Sequence, residues 1–227
     1  MCEKNKRLIV IEGLDGSGKS TQIELLKARL ESKNMKIRQI KLPDYDDPSS
    51  TLVKMYLAGD FGSSPAGIGA YASSLFYTVD RFASFTRHWG EDYNNGITIL
   101  ADRYTTSNAV HQMVKLPKEK WDEYLLWLEE LEYVKVGIPK PSFVIYLDMP
   151  IDISQRLMSQ RYNGDEVKKD IHERDCSYLY ACREAAFYAA EKLGWHIVAC
   201  SDGKEPYSPE MISEKIYSLI MNETEEK

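Results

Sequence analysis

Eight residues constrain this chain more than any others: Gly13-Leu14-Asp15-Gly16-Ser17-Gly18-Lys19-Ser20 meets the spacing G-x-x-x-x-G-K-[ST] at every fixed position. The run before it, Leu8-Ile9-Val10-Ile11, is short, largely β-branched and wholly apolar, as a strand buried on both faces of a parallel sheet must be. After it, Ile23, Leu26 and Leu30 fall on one helical face. Strand, glycine-rich turn and helix in that order make a phosphate cradle. The glycines let backbone N–H groups turn inward, and the helix adds the positive end of its dipole.

Within the cradle, Lys19 is placed to reach β and γ phosphates, and the Ser20 hydroxyl is placed to bind Mg²⁺. Gly13, Asp15, Gly16, Ser17, Gly18, Lys19, Ser20 and Thr21 form the expected donor-binding set. The implied ligand is a nucleoside triphosphate, most simply ATP with Mg²⁺. The motif alone does not separate a kinase from an ATPase motor or a GTPase switch, since all three hold the donor this way.

Four further runs read as strands: Lys36 to Leu42, Ile97 to Ala101, Phe143 to Leu147 and His196 to Ala199, the first of them more alternating and so less buried. Helical spacing lies between them, as at Trp121, Leu125, Leu128 and Leu131. Near the end, Ser208-Pro209-Glu210 reads as a cap, a first-turn proline and a first-turn acid ahead of Ile212, Ile216 and Leu219. Alternating elements with buried strands predict an α/β, doubly wound sheet that binds ligands at the carboxyl ends of its strands. No linker divides the chain, so residues 1–227 are expected to form one domain with a solvated tail over 222–227. The glycine-dense stretch Gly59 to Gly69 is either a plain surface connection or a gate over the substrate.

Composition narrows the partners. With 29 Lys and Arg against 35 Asp and Glu, the net charge of −6 offers no global basic face for nucleic acid. No apolar run is long enough to cross a bilayer, and Cys2, Cys176, Cys182 and Cys200 show neither C-x-x-C pairing nor zinc-finger spacing. A soluble, cytoplasmic protein with reduced thiols and no cysteine-held metal is the expectation.

Asp102 and Arg103 end the third apolar run, where a carboxylate can meet the cradle's magnesium. The adjacent guanidinium implies a second anion, since an unpaired one there is costly; simple pairing with Asp102 is the alternative. Asp15 would repel phosphates unless it points toward magnesium or an acceptor hydroxyl, or merely stabilises the turn. No N-K-x-D run for reading guanine occurs. Residues 155–175 carry mixed charge and suit a lid that closes cations, Arg156 and Arg161 first, over the donor phosphates.

Together these residues resemble the thymidylate kinases. Glu12 to Thr21 resembles the family P-loop with its aspartate, and Leu75 to Arg81 (L-F-Y-T-V-D-R) its base-binding helix. Asp102 to Gln112 (D-R-Y-T-T-S-N-A-V-H-Q) resembles its D-R-[YH] signature, and Pro141 to Asp148 the strand before its lid. The resemblance implies a P-loop NTPase fold with a five-stranded parallel sheet, an arginine-bearing lid, and transfer of the γ-phosphate of ATP to dTMP to give dTDP. It implies that Tyr77 stacks on thymine, Arg81 bonds the base edge, Ser107 and Asn108 line the base pocket, and Arg103 holds the dTMP phosphate. Asp15 would meet the sugar 3′-hydroxyl or the magnesium region, Asp102 would position magnesium with Ser20, and a homodimer is implied. Lys19, Asp15, Asp102, Arg103 and Arg161 are the catalytic candidates.

Three departures stand out. The family's arginine near the proline after the second strand is missing from the acidic Leu42-Pro43-Asp44-Tyr45-Asp46-Asp47, which leaves the neutralisation of the acceptor phosphate open. His111 falls where the family has Tyr or Phe against a ribose 2′-hydroxyl, and Asp170 to Glu173 reads D-I-H-E rather than D-R-x-E. Gly16 stands where some members carry an arginine, which turns attention to Arg161 on the donor side. Rival readings are another deoxynucleoside or deoxynucleotide kinase of this fold and a nucleotide-dependent regulatory ATPase, separated by their response to acceptor.

Overall fold

Leu8–Glu12 forms β1, the middle strand of a five-stranded sheet whose pairings are all parallel. The others are β2 (Ile37–Lys41), β3 (Thr98–Asp102), β4 (Phe143–Asp148) and β5 (His196–Ala199), in the order β2-β3-β1-β4-β5. Each lies on a run expected from the sequence. The computed structural model describes residues 7–62, 67–161 and 176–225.

All five residues of β1 and of β3 are buried, whereas edge strand β2 is half exposed, as its alternation predicts. The chain runs from β1 out to β2, back to β3 beside β1, and then across to β4 on the other side, which opens a crevice beyond the carboxyl ends of these strands.

The helices are α1 (Lys19–Glu31), α2 (Thr51–Ala58), α3 (Ala70–Ser84), α4 (Gly90–Asn94), α5 (Thr106–His111), α6 (Trp121–Glu129), α7 (Ile151–Arg161), α8 (Cys176–Leu193) and α9 (Pro209–Glu225). On one sheet face Ile9 and Ile11 pack with Ile23, Leu26 and Leu30 of α1 and Ile212, Ile216 and Ile220 of α9. Leu8 and Val10 face the other way, against Trp89, Tyr104 and Ile138. Each such buried aliphatic side chain contributes about 1.5–3 kcal/mol, so α1 is fixed to the sheet by its expected stripe.

Two features depart from the sequence reading. Phe85–Trp89 and Glu130–Lys135 are π-helical turns, the second of which breaks the α-helical stripe of α6 so that Leu131 is only half buried. Ser208 Oγ accepts the Met211 N–H at 3.3 Å, the expected cap, but α9 continues to Glu225, through most of the expected tail. No glycine or proline interrupts it there. Residues 162–175 of the expected lid, with residues 63–66 of the glycine-dense stretch, lie outside the described residues, as does the side chain of Arg161. Among the described residues no helix is long and apolar enough to cross a membrane.

Candidate active site

The cradle takes its shape from glycines at positive φ, Gly16 at 79° and Gly18 at 88°, the latter capping α1 while its carbonyl accepts the Gln22 N–H at 3.0 Å. A side chain at Gly16 is barred twice over, since a Cβ there would also stand 2.7 Å from the Ser154 carbonyl oxygen and 2.9 Å from Met158 Cγ of α7. Lys19 folds across the loop, its Nζ donating to the carbonyls of Gly13 at 2.9 Å and Leu14 at 3.0 Å, and standing 3.5 Å from Asp15 Oδ1. Burial lowers the pKa of this ammonium and Arg103 adds to the effect, against the opposing pull of Asp15, Asp102 and Glu12.

Arg103 follows β3 at φ 68°, a left-handed conformation that a non-glycine residue keeps only where its surroundings hold it. Its Nη2 donates to Asp15 Oδ1 at 2.7 Å, and its Nη1 lies 3.1 Å from Glu12 Oε1 and 3.1 Å from His111 Nε2. An imidazole nitrogen facing a guanidinium must accept, which puts the ring proton of His111 on Nδ1. Burial opposes the charge of Arg103, but Asp15, Glu12 and Asp102 outweigh it and raise its pKa. Burial opposes Asp15 likewise, yet Arg103 and Lys19 hold its carboxyl well below the usual range.

Glu12 ties these parts together. Fully buried at the end of β1, it accepts the Gly13 N–H at 2.9 Å and Arg103 on one oxygen, and the hydroxyls of Thr106 at 2.8 Å and Ser107 at 2.6 Å on the other. The cradle, Arg103 and the start of α5 are thus fixed to a single carboxylate. The sequence gives one signal for it, an acid in the last position of an otherwise apolar strand.

Asp102 is 4% exposed, and its Oδ1 has no hydrogen-bond partner among the described residues. A buried carboxylate oxygen with nothing to accept suits a cation, and the Ser20 hydroxyl lines the same cleft. Mg²⁺ bound with few protein ligands takes the rest of its shell from phosphate oxygens and water, so these two groups are a donor set of the right kind.

The cleft measures about 530 Å³, within the range for a small-molecule site, and it brings Asp15, Lys19, Ser20, Asp102, Arg103 and the base-pocket candidates together. Tyr77 lines it, edge-on to Tyr56 at 6.3 Å, while its neighbour Phe76 stacks on Phe61 at 5.4 Å and packs elsewhere. Asn108 is 1% exposed and donates its Nδ2 to the Ser74 carbonyl at 3.4 Å, leaving its Oδ1 unpartnered among the described residues. Arg81 lines the cleft but is 2% exposed and paired with Glu132, which also accepts from Thr78 Oγ1 at 2.7 Å.

Arg156 does not enter the cleft: its Nη2 pairs with Glu205 at 2.7 Å and reaches the Lys204 carbonyl at 3.3 Å, because its position on α7 turns it toward the loop after β5. Arg103 pairs with Asp15 and Glu12, anions other than its neighbour Asp102, as its position at the strand end implied.

The acidic loop also has an account. Asp47 caps the turn Pro48–Ser50 by accepting the Ser49 N–H at 2.9 Å, and it pairs with Arg87 at 2.7 Å and His88 at 3.1 Å. The Ser49 amide and His88 hold its pKa down at about 2. The Asp44 N–H donates to Asp80 Oδ2 at 3.0 Å. These contacts anchor the loop after β2 to α3 and the π turn that follows it.

The sequence model of the thymidylate kinase family matches residues 11–209, a span that contains the cradle, Arg103 and the base-pocket candidates. The chain belongs to the thymidylate kinase family. It is 26% identical to the thymidylate kinase of Mycobacterium tuberculosis, with 83% of this chain and 87% of that one covered. To the thymidylate kinase of Schizosaccharomyces pombe it is 31% identical, over 75% of this chain and 76% of that one. In fold it matches a thymidylate kinase from Candida albicans at a TM-score of 0.70 and 19% identity, covering 98% of this chain and 94% of the other.

Two residues of this thymidylate kinase family member escaped the sequence reading altogether. Glu132 carries no local signal, since only the π turn brings it inward. Lys41 ends β2 and lines the cleft beside Tyr45, at a position that reads in sequence as the exposed end of an edge strand.

Proposed function

We propose that this kinase transfers the γ-phosphate of ATP to dTMP, giving dTDP and ADP, with the cleft residues in the following roles. The observation that carries the reading is the bond between Asp15 of the cradle and Arg103 of the acceptor side, which fixes donor and acceptor subsites relative to one another. Phosphoryl transfer depends on alignment and charge neutralisation more than on covalent chemistry, so no nucleophilic side chain is called for.

The backbone of residues 13–21 cradles the donor phosphates, and Lys19 exchanges its carbonyl partners for phosphate oxygens. Ser20 and Asp102 hold Mg²⁺, which when bound supplies positive charge at the donor phosphates. Arg103 binds the acceptor phosphate, while Asp15 keeps that guanidinium oriented and faces the sugar. Tyr77 stacks on the base, the Asn108 Oδ1 accepts from a base N–H, Arg81 faces the base edge, and Ser107 and His111 line the sugar side. Arg161 is assigned to the donor side.

An exposed apolar row on α3, formed by Leu75, Val79 and Phe82 at helical spacing, supports a homodimer as the assembly. Free, buried Cys182 and Cys200 fit a reducing cytoplasmic setting.

The test is ADP release with Mg·ATP and, separately, dTMP, dUMP, dCMP, dGMP, ribothymidine monophosphate, thymidine or no acceptor. Strong preference for dTMP is expected. Preference for thymidine or a purine monophosphate would move the acceptor, and release indifferent to acceptor would overturn the reading.

A further inference from the structure

The cleft has a charge imbalance around Arg103. Two carboxylates, Glu12 and Asp15, share the one guanidinium of Arg103, Lys19 is engaged with the cradle carbonyls and Asp15, and Asp102 is assigned to Mg²⁺. Arg81 is committed to the buried Glu132. A phosphate monoester near neutral pH brings up to two more negative charges. As it stands this constellation repels such an anion, and one guanidinium shared between two carboxylates does not correct that.

Lys41 is the remaining cation among the described residues that line the cleft. It is paired in register with Asp102, and the Leu42 N–H donates to the Asp102 carbonyl at 3.0 Å. Register partners in a parallel pair direct their side chains to the same face, so Lys41 rises beside Asp102, one residue before Arg103. Its ammonium makes no hydrogen bond or ion pair among the described residues, and it is exposed to the cleft. The loop that follows contributes no cation, Tyr45 being the residue that enters the cleft there.

Resting on the dTMP kinase reading, we infer that Lys41 is the second cation of the acceptor-phosphate subsite and binds the monophosphate opposite Arg103. Lys41 brings charge that no carboxylate already claims, and three rotatable donors suited to a phosphate that must shift as the new bond forms. It acts on the acceptor rather than the donor, because the cradle and Lys19 already serve the donor phosphates.

The test compares wild type, Lys41→Met and Lys41→Arg in calorimetric binding of dTMP, thymidine and ATP, alongside steady-state kinetics. Losing one charge-assisted contact to phosphate is expected to weaken dTMP binding about 10- to 100-fold, with a matching rise in its KM. Thymidine, which lacks the phosphate, should bind both proteins alike, ATP affinity should be unchanged, and Lys41→Arg should restore most of the dTMP affinity. Unchanged dTMP affinity in Lys41→Met would overturn the inference, as would equal losses for dTMP and thymidine or a loss confined to ATP. If wild type itself fails to phosphorylate dTMP, the functional reading fails instead, which keeps the two failures distinct.

Discussion

Arg103 and Asp15 are 88 positions apart in sequence, yet Nη2 of one lies 2.7 Å from Oδ1 of the other. Their bond ties the cradle to the residue that follows β3. Its geometry depends on a third group, because Arg103 also rests on Glu12, and Glu12 in turn holds Gly13, Thr106 and Ser107.

Replacing Glu12 by Gln keeps the shape and removes the charge. We expect the unfolding free energy to fall by about 1–3 kcal/mol and the KM for dTMP to rise more than that for ATP. Urea melts and two-substrate kinetics check this; equal rises in both KM values would mean general loosening rather than a misdirected Arg103.

On the proposed role of Arg81 at the base edge, its partner Glu132 bears on base recognition. Because both partners are buried, Glu132→Ala leaves an unpaired guanidinium and should cost about 3–5 kcal/mol. Glu132→Gln should cost less and still alter the ratio of dTMP to dCMP turnover. A Gln variant with an unchanged ratio would mean that Arg81 serves the fold alone.

At Gly16 even a methyl group meets the Ser154 carbonyl, in a backbone conformation that alanine adopts with strain. Gly16→Ala should lower stability by about 1–3 kcal/mol and weaken ATP binding, as melting curves and nucleotide titration would show. Gly16→Arg should give no gain in turnover, since its side chain has no room to reach the phosphates.

Lys115 donates to the Tyr56 hydroxyl at 2.9 Å, the Ile68 carbonyl at 3.1 Å and Ser73 Oγ at 2.9 Å. Burial pushes its pKa down from 10.5 to about 7. Between those values the unfolded chain binds the extra proton, so this group makes stability rise with pH across that window and adds no slope below it. Thermal melts from pH 6.5 to 9 should show a steeper rise in Tm for wild type than for Lys115→Met; parallel curves would rule the effect out.

The strands were readable because short β-branched runs can only be buried, and the cradle because its chemistry is local to eight residues. Partner choice was not readable. Arg103 had to find carboxylates from β1 and the loop after it, and Asp47 had to find Arg87 and His88, some 40 positions away. The direction of Arg156 was not readable either, because a cation near a lid says nothing of where it points, and α7 turns this one toward Glu205. Tyr77 and Phe76 are equivalent by spacing, and only the placement of α3 against Tyr56 and Phe61 separates them.

The π turn Glu130–Lys135, closed by the Val136 N–H on the Leu131 carbonyl at 2.8 Å, holds one residue more than an α-helical turn would. That surplus residue turns Glu132 inward toward Arg81 and leaves Val134 in solvent. Removing a single residue from this stretch would restore the α-helical repeat and rotate Glu132 by about 100°. The ion pair would be lost with every one of its side chains still encoded. Here the number of residues in the helix holds this ion pair as much as their identities do.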